Sequence, residues 1–298
     1  GAGAAGLACA VTAAERGHQV TLYEAAPNIG GQLNLARAVP GKEEFNELVR
    51  YFSARLDQEA VQVRLGHRPD AGELAAAEFD RIVVATGVRP RRPEIQGLDH
   101  PKVIGYADLL SGRRQAGRRV AVIGAGGIGF DVAEYLLHEV VPGAATPVAE
   151  DDVTAFLAEW GVTAAPETPG GLQQPLPPVP LRSVTLLQRR PDKPGRTLGL
   201  STGWALRARL EQRGLQTLSG CSYERIDGAG LHLRVNGEAR LLEVDTVVIC
   251  AGQESENGLA AELRSVGIQP DVIGGAELAA ELDALRAIGQ GTRLAMAL

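Results

Sequence analysis

The stretch that most restricts the fold is Arg118-Arg119-Val120-Ala121-Val122-Ile123-Gly124-Ala125-Gly126-Gly127-Ile128-Gly129-Phe130-Asp131. An apolar, mostly β-branched run leads into Gly-x-Gly-x-x-Gly. Val132-Ala133-Glu134-Tyr135-Leu136-Leu137 then continues with helical spacing, which predicts a strand, a tight turn and the start of a helix. Gly124 permits the turn, Gly126 lets backbone approach a pyrophosphate, and Gly129 lets the helix pack closely on the strand. The first turn of such a helix offers free N–H groups and partial positive charge to phosphates. The sequence therefore predicts an α/β chain with a Rossmann-like unit and a dinucleotide as ligand.

A second copy, Gly1-Ala2-Gly3-Ala4-Ala5-Gly6, opens the sequence, followed by a helical pattern over Leu7 to Arg16 and a strand over His18 to Glu24. Glu24 lies about 20 residues past the fingerprint, where a carboxylate accepts hydrogen bonds from adenosine ribose hydroxyls. No strand precedes Gly1 in this sequence, so the first domain is expected to lack its first strand and to belong to a longer chain.

The corresponding position after the second fingerprint carries different chemistry. The strand Ser183-Val184-Thr185-Leu186-Leu187 runs into Gln188-Arg189-Arg190-Pro191-Asp192-Lys193. A carboxylate there would repel a 2′-phosphate, whereas guanidinium groups pair with it bidentately. Arg189, Arg190 and Lys193 thus point to NADPH, with a solvated basic loop as the plainer alternative. One domain, with Glu24, is read as the FAD site and the other as the NADP site.

Further small-residue positions extend the two sites. Gly30-Gly31-Gln32 allows close backbone approach to a ligand on the first turn, and Gln32 both donates and accepts. Arg81 to Val84 leads into Ala85-Thr86-Gly87, and Val247 to Ile249, the end of a strand expected from Leu241 to Ile249, into Cys250-Ala251-Gly252. These strand ends let a nucleotide come close. Gly41-Lys42-Glu43-Glu44-Phe45 opens an amphipathic helix. Lys42 could reach a flavin or phosphate there or simply be solvated. Asp271 to Glu277 is expected to form a strand and a glycine turn, with a helix following from Leu278 to Ile288. A flavin would lie against Gly275 and Ala276, its pyrimidine ring near that helix N-terminus.

The domain organisation follows: an FAD-binding domain over 1–112 and 251–298, and an NADP-binding domain over 113–250. Val88 to Pro93 is expected to link them as an extended segment. A Pro-, Ala- and Gly-rich surface insertion is expected over about 138–181, with one short helix from Asp151 to Trp160.

Composition excludes other classes. With 298 residues, 45% hydrophobic and 22% charged content and a net charge of −6, the chain can bury two cores. It shows no bias toward nucleic acid or an anionic membrane. No apolar run is long enough to span a bilayer. The three cysteines, Cys9, Cys221 and Cys250, are far apart. They form neither a C-x-x-C pair nor a metal-ligand spacing, and a reduced, cytoplasmic setting is expected. No metal site and no Ser/His/Asp or Cys/His catalytic arrangement is evident. A lone His67 is read as structural.

Several strings are more specific than the fingerprints. Gly1 to Arg16, Gly30-Gly31-Gln32, Pro40-Gly41-Lys42-Glu43-Glu44-Phe45, His100-Pro101-Lys102-Val103, Thr202-Gly203-Trp204, Cys250-Ala251-Gly252-Gln253 and Glu281-Leu282-Asp283-Ala284, with the second fingerprint, resemble bacterial NADPH-dependent 2,4-dienoyl-CoA reductases. The likeness runs from end to end of this chain but covers only the C-terminal, FAD- and NADP-binding half of that family. The resemblance implies an N-terminal Old Yellow Enzyme-like barrel, absent here, that holds FMN, a 4Fe-4S cluster and the acyl-CoA pocket. It further implies electron transfer from NADPH through FAD, the cluster and FMN to a 2,4-dienoyl-CoA in fatty acid β-oxidation. By the same likeness Ala5, Glu24, Gln32, Lys42 and the Pro69 backbone match FAD-contacting positions. One departure stands out: Gly274-Gly275 replaces the Gly-Asp of many two-dinucleotide flavoproteins, so backbone near Gly275 and Ala276 would have to contact the flavin. The likeness is shared in outline with trimethylamine-dehydrogenase-like enzymes and enoate reductases. A disulfide reductase is disfavoured by the missing C-x-x-C, and a non-catalytic nucleotide-binding module is a further alternative.

Overall fold

The computed structural model describes residues 1–139, 153–163, 165, 167–196, 198–280 and 283–298. The chain forms two compact units, the first made of Gly1–Arg91 with Gly252–Leu298 and the second of Arg92–Ala251.

The first unit begins with helix α1 (Ala4–Glu15), whose Leu7, Ala8 and Val11 are buried. Strand β1 (Thr21–Glu24) follows, then α2 (Leu33–Ala36) and α3 (Phe45–Gln58). Phe52 and Leu56, four residues apart on one face of α3, are buried in the cluster that holds Leu7, Val11 and Leu22. Strand β2 (Gln62–Leu65) pairs in parallel with β1. Helix α4 (Ala71–Ala76) is capped by Asp70, whose carboxylate accepts from Glu73 N at 2.8 Å. His67 sits beside it, with Nε2 2.8 Å from Glu73 Oε1 and its ring 5.5 Å from that of Tyr23, a local structural role. Strands β3 (Val83–Val84) and β4 (Val88–Pro90) complete this leg.

In the second unit, β5 (Val103–Gly105) leads into α5 (Tyr106–Leu110). The fingerprint strand β6 (Arg119–Ile123) and helix α6 (Gly127–His138) follow. After α7 (Val153–Glu159) come β7 (Ser183–Leu187), α8 (Gly203–Gln212) and β8 (Gln216–Leu218). Strands β9 (Cys221–Asp227), β10 (Gly230–Val235) and β11 (Glu238–Leu242) form an antiparallel meander, and β12 (Thr246–Ile249) closes the unit. The main sheet is parallel throughout, in the order β5-β12-β6-β7-β8. Ala121, Ile123, Leu187, Val247 and Ile249 cluster with Cys221, Ile226, Leu231 and Leu233 of the meander. On the opposite face Leu186 reaches toward α6, where a Cβ on Gly129 would lie 3.3 Å from its Cδ1. The three layers here are helices, parallel sheet and meander.

The chain returns to the first unit through β13 (Gln253–Ser255), α9 (Gly258–Ser265), β14 (Asp271–Val272) and α10 (Ala284–Ala297). Strand β14 pairs in parallel with β3, and β13 antiparallel with β4. Helix α10 packs on α1 so closely that a Cβ on Gly291 would lie 2.2 Å from Ala5 O.

Five features differ from the sequence reading. Residues 92–112 lie in the second unit, because Val103–Gly105 pairs with Thr246–Ile249 there. The segment Val88 to Pro93 is not only a linker, since its first half forms β4 against β13. The stretch Leu241 to Ile249 is not one strand: Leu242 ends the meander and β12 starts at Thr246. The meander itself has a sequence pattern that went unread. The final helix starts at Ala284, where the Asp283 carboxylate accepts from Arg286 N at 2.7 Å, and not at Leu278. Of the other expectations, Asp151 and the Glu281-Leu282 pair lie outside the described residues.

The described part of the insertion is tied down by charge. Arg213 at the end of α8 donates to Glu159 of α7, from Nε to Oε1 at 2.7 Å and from Nη2 to Oε2 at 3.0 Å.

Candidate functional site: two matching glycine cradles

Each fingerprint is held by the same two contacts. In the first unit a Cβ on Gly1 would lie 2.4 Å from Ala85 O, and one on Gly6 would lie 1.9 Å from Gly1 O. In the second, a Cβ on Gly124 would lie 2.2 Å from Cys250 O, and one on Gly129 would lie 1.8 Å from Gly124 O. The first glycine of each set thus admits the carbonyl of a neighbouring strand end, and the third admits the turn beneath the helix. The carbonyls of Ala85 and Cys250 are the strand-end groups that seat on these turns.

The middle glycines behave differently. A Cβ on Gly3 or on Gly126 would meet nothing within 4 Å. Both residues have extended backbone, φ −80° and ψ −177° at Gly3, φ −85° and ψ −172° at Gly126. Neither helix has a side-chain cap or an acidic residue in its first turn. Two helix starts with uncapped N–H groups and open space beside the N-cap glycine are sites where an anionic group fits.

The residues expected at the two ribose ends differ in their bonding. Glu24 Oε2 accepts from Ala2 N at 2.7 Å and Oε1 from Ala26 N at 2.8 Å. The carboxylate therefore braces its own fingerprint turn and keeps lone pairs for further donors. At the matching place in the second unit, Gln188 Nε2 donates into its own loop, to Asp192 O at 2.8 Å and Asp192 Oδ1 at 2.7 Å. Arg189, Arg190 and Lys193 are exposed, and none makes a salt bridge among the described residues.

The other sequence-chosen residues of the first unit gather round the first cradle to different degrees. Gly30 N donates to Ala2 O at 2.7 Å, and Gly31, at φ 51°, lies so near the turn that a Cβ there would be 3.0 Å from Gly3 Cα. Gln32 is exposed and precedes α2. The glycine turn 274–276 also arrives here, since a Cβ on Gly274 would lie 2.8 Å from Ala5 Cβ. Gly275 and Ala276 are buried. Thr86 Oγ1 donates to Glu256 O, and Gly87 O accepts from Glu256 N at 3.0 Å. Gly252, at φ 103°, accepts from Arg91 N at 3.0 Å. Lys42 is half-buried in the turn before α3, and Pro69 is buried before α4.

Sequence reasoning missed Gln290, which accepts from Gly274 N at 2.8 Å and so fixes the late glycine turn against α1. The signal was present in Gly289-Gln290-Gly291, two glycines inside a helical pattern, which marks close backbone approach. The thiols take no part. All three are buried, and burial, helped by the Asp271 charge, pushes Cys9 up to about 11.

Two such cradles in one chain define a protein with two dinucleotide sites. The chain matches the pyridine nucleotide-disulphide oxidoreductase family over residues 1–282 and belongs to that family, whose members are FAD- and NAD(P)-dependent oxidoreductases. It is 31% identical over 280 residues to a metal reductase of Desulforamulus reducens, covering 93% of this chain and 40% of the relative. A Thermoanaerobacter brockii NADH oxidase is 38% identical over 143 residues, 47% of this chain and 22% of the relative. Among solved structures, 2-naphthoyl-CoA reductase in complex with 2-naphthoyl-CoA superposes with a TM-score of 0.79 at 25% identity. That match covers 100% of this chain and 39% of the other. The chain thus spans less than half the length of these relatives. No described helix is long and apolar enough to cross a membrane.

Proposed function

We propose that the chain is the reductase half of a barrel-linked flavoenzyme, with FAD on the first cradle and NADPH on the second. The observation that carries this reading is the contrast at the ribose ends. The glycine geometry is repeated, yet Glu24 stands at one end and an exposed Arg189, Arg190 and Lys193 set at the other. Bound together, the two cofactors would supply hydride transfer from nicotinamide to flavin. The protein's share is orientation and electrostatics. Uncapped N–H groups at α1 and α6 receive the two pyrophosphates, with Gly3 and Gly126 leaving room for them. Glu24 accepts from ribose hydroxyls of FAD, and the basic loop pairs with the 2′-phosphate of NADPH. Gly31, Gln32, Thr86, Gly87, Gly252 and the backbone at Gly275 and Ala276 would line the FAD side. Ala5, Lys42 and Pro69 join them through the family resemblance.

For the final acceptor, the reading favoured is a 2,4-dienoyl-CoA, reduced in an N-terminal barrel carrying FMN and a 4Fe-4S cluster. The motif resemblance supports it, as does the likeness to a reductase of another conjugated acyl-CoA. A second reading, the same half serving a different acceptor, is supported by the metal reductase match over 93% of this chain. Disulfide chemistry has no support in this chain, whose three thiols are buried and far apart in sequence.

The test is reconstitution of the chain with FAD and anaerobic addition of NADPH or NADH. The expected result is a flavin spectrum bleached faster by NADPH. A chain that binds no flavin, or whose flavin stays oxidised with NADPH, would sink the proposal. Activity of the parent enzyme on a dienoyl-CoA against a ferric complex separates the two acceptor readings.

A further inference from the structure

We propose that Gln188 is a positioning residue for NADPH preference: its amide folds the basic loop and holds the Asp192 carboxylate away from the phosphate-binding cations. The inference rests on the reading of the second cradle as an NADPH site. Gln188 continues directly from β7, and its backbone is fixed by Leu218 O at 2.8 Å and Cys221 N at 3.0 Å. Its side chain turns back into the loop. Nε2 lies 3.2 Å from Arg190 O, 2.8 Å from Asp192 O and 2.7 Å from Asp192 Oδ1. All three partners are acceptors only, so the amide must present its N–H groups to them.

The consequence is chemical. A glutamate at this place would set a carboxylate against two carbonyls and a second carboxylate. The acid that suits an NAD ribose is therefore excluded by the loop itself, before any cofactor arrives. The far end of the loop is also pinned. Pro194 and Gly195 are buried, and Gly195 lies so close to α6 that a Cβ there would be 2.7 Å from Phe130 Cζ. Gly195 O accepts from Arg207 Nη1 at 3.3 Å.

Between these anchors Asp192 is the one carboxylate of the 188–196 segment. It is held by Gln188 and lies 3.7 Å from Arg196 Nη1. Released, it could pair with Arg189, Arg190 or Lys193 and compete with a 2′-phosphate for the same donors.

The experiment is calorimetric binding of NADP+ and NAD+ to the full chain, wild type and variants, with thermal unfolding measured on each. Gln188→Leu and Gln188→Met remove the donors, and Met keeps the side-chain length should Leu fail to fold. Each is expected to weaken NADP+ about tenfold and NAD+ less than about twofold, with little change in Tm. Gln188→Glu is expected to lose NADP+ affinity without gaining affinity for NAD+. Adding Asp192→Asn to Gln188→Leu or Gln188→Met should restore most of the loss, because the competing charge is gone. Unchanged NADP+ to NAD+ ratios in both Gln188 variants, or a loss that Asp192→Asn does not restore, would overturn the inference alone. A wild-type chain with no preference for NADP+ would overturn it together with the NADPH reading.

Discussion

The two cradles were built to one backbone plan and then diverged at a single end. In both, a strand-end carbonyl presses on the first glycine, the turn's own carbonyl presses on the third, and the middle glycine faces open space. At the ribose end the first cradle has an acceptor, Glu24, that also braces Ala2 and Ala26. At the matching place the second has a donor, Gln188, whose amide bonds Asp192 within its own loop. Comparing them separates what the fold requires from what a ligand requires. The outer glycines answer to packing, while on the proposed reading the middle glycine and the residue at the ribose end answer to the ligand.

The sharpest way to break this comparison is alanine at the glycines. Gly6→Ala and Gly129→Ala each drive a methyl into a backbone carbonyl and should cost about 3 kcal/mol in urea unfolding. Gly3→Ala and Gly126→Ala, at N-cap positions with free space, should cost under about 1 kcal/mol yet weaken nucleotide binding. Equal stability losses in all four variants would show that the middle glycines are structural after all.

A second effect concerns the cations. Arg189→Ala with Arg190→Ala should weaken NADP+ binding about tenfold or more while leaving NAD+ nearly unchanged, as loss of a bidentate phosphate pair does. Equal weakening of both cofactors would mean the loop acts only through general charge.

Smaller is Glu24→Gln. One of the two backbone N–H groups loses its acceptor, so stability should fall by about 1–2 kcal/mol, with FAD binding weakened as well. Unaltered unfolding would show that the brace carries no weight.

The weakest effect is in pH. The hydrogen bond from the Arg119 side chain, with one from its backbone N–H, holds the Asp245 carboxyl below the usual carboxylate range. The unfolded chain therefore takes up this proton first. Its contribution to stability is present above the ordinary aspartate value and is lost as pH falls through the folded value. Asp245→Asn should flatten the acid limb of a stability-versus-pH curve slightly, because the pair is largely solvent-exposed. An unchanged acid limb would remove Asp245 from that account.

How much was readable from residues alone depended on whether the signal was local. Both glycine turns with the helices they open, the helix at α3 and the strand ends at Ala85 and Cys250 follow from neighbours in sequence. The meander of Cys221 to Leu242 sets exposed Glu224, Arg225 and Arg234 beside buried Ile226, Leu231 and Leu233. Its edge is half solvated, and its pattern is weaker than that of a buried parallel strand. The final helix was placed early because Leu278 and Ala279 suit a helix, whereas the Asp283 cap that sets its start is a side-chain choice.

By itself the sequence determined that this chain holds two Gly-x-Gly-x-x-Gly turns, each opening a helix, with unlike residues, Glu24 and Gln188, at the ends of the strands that follow. Turn geometry and helix starts depend on a few adjacent residues, so they can be read directly. Only the tertiary structure decided that residues 92–112 belong with the second unit, that Gly274 rests on Ala5 and is fixed by Gln290, and that Gln188 donates into its own loop. Each of these depends on which backbone carbonyl or side chain the folded chain brings within reach, and sequence spacing carries no record of that distance.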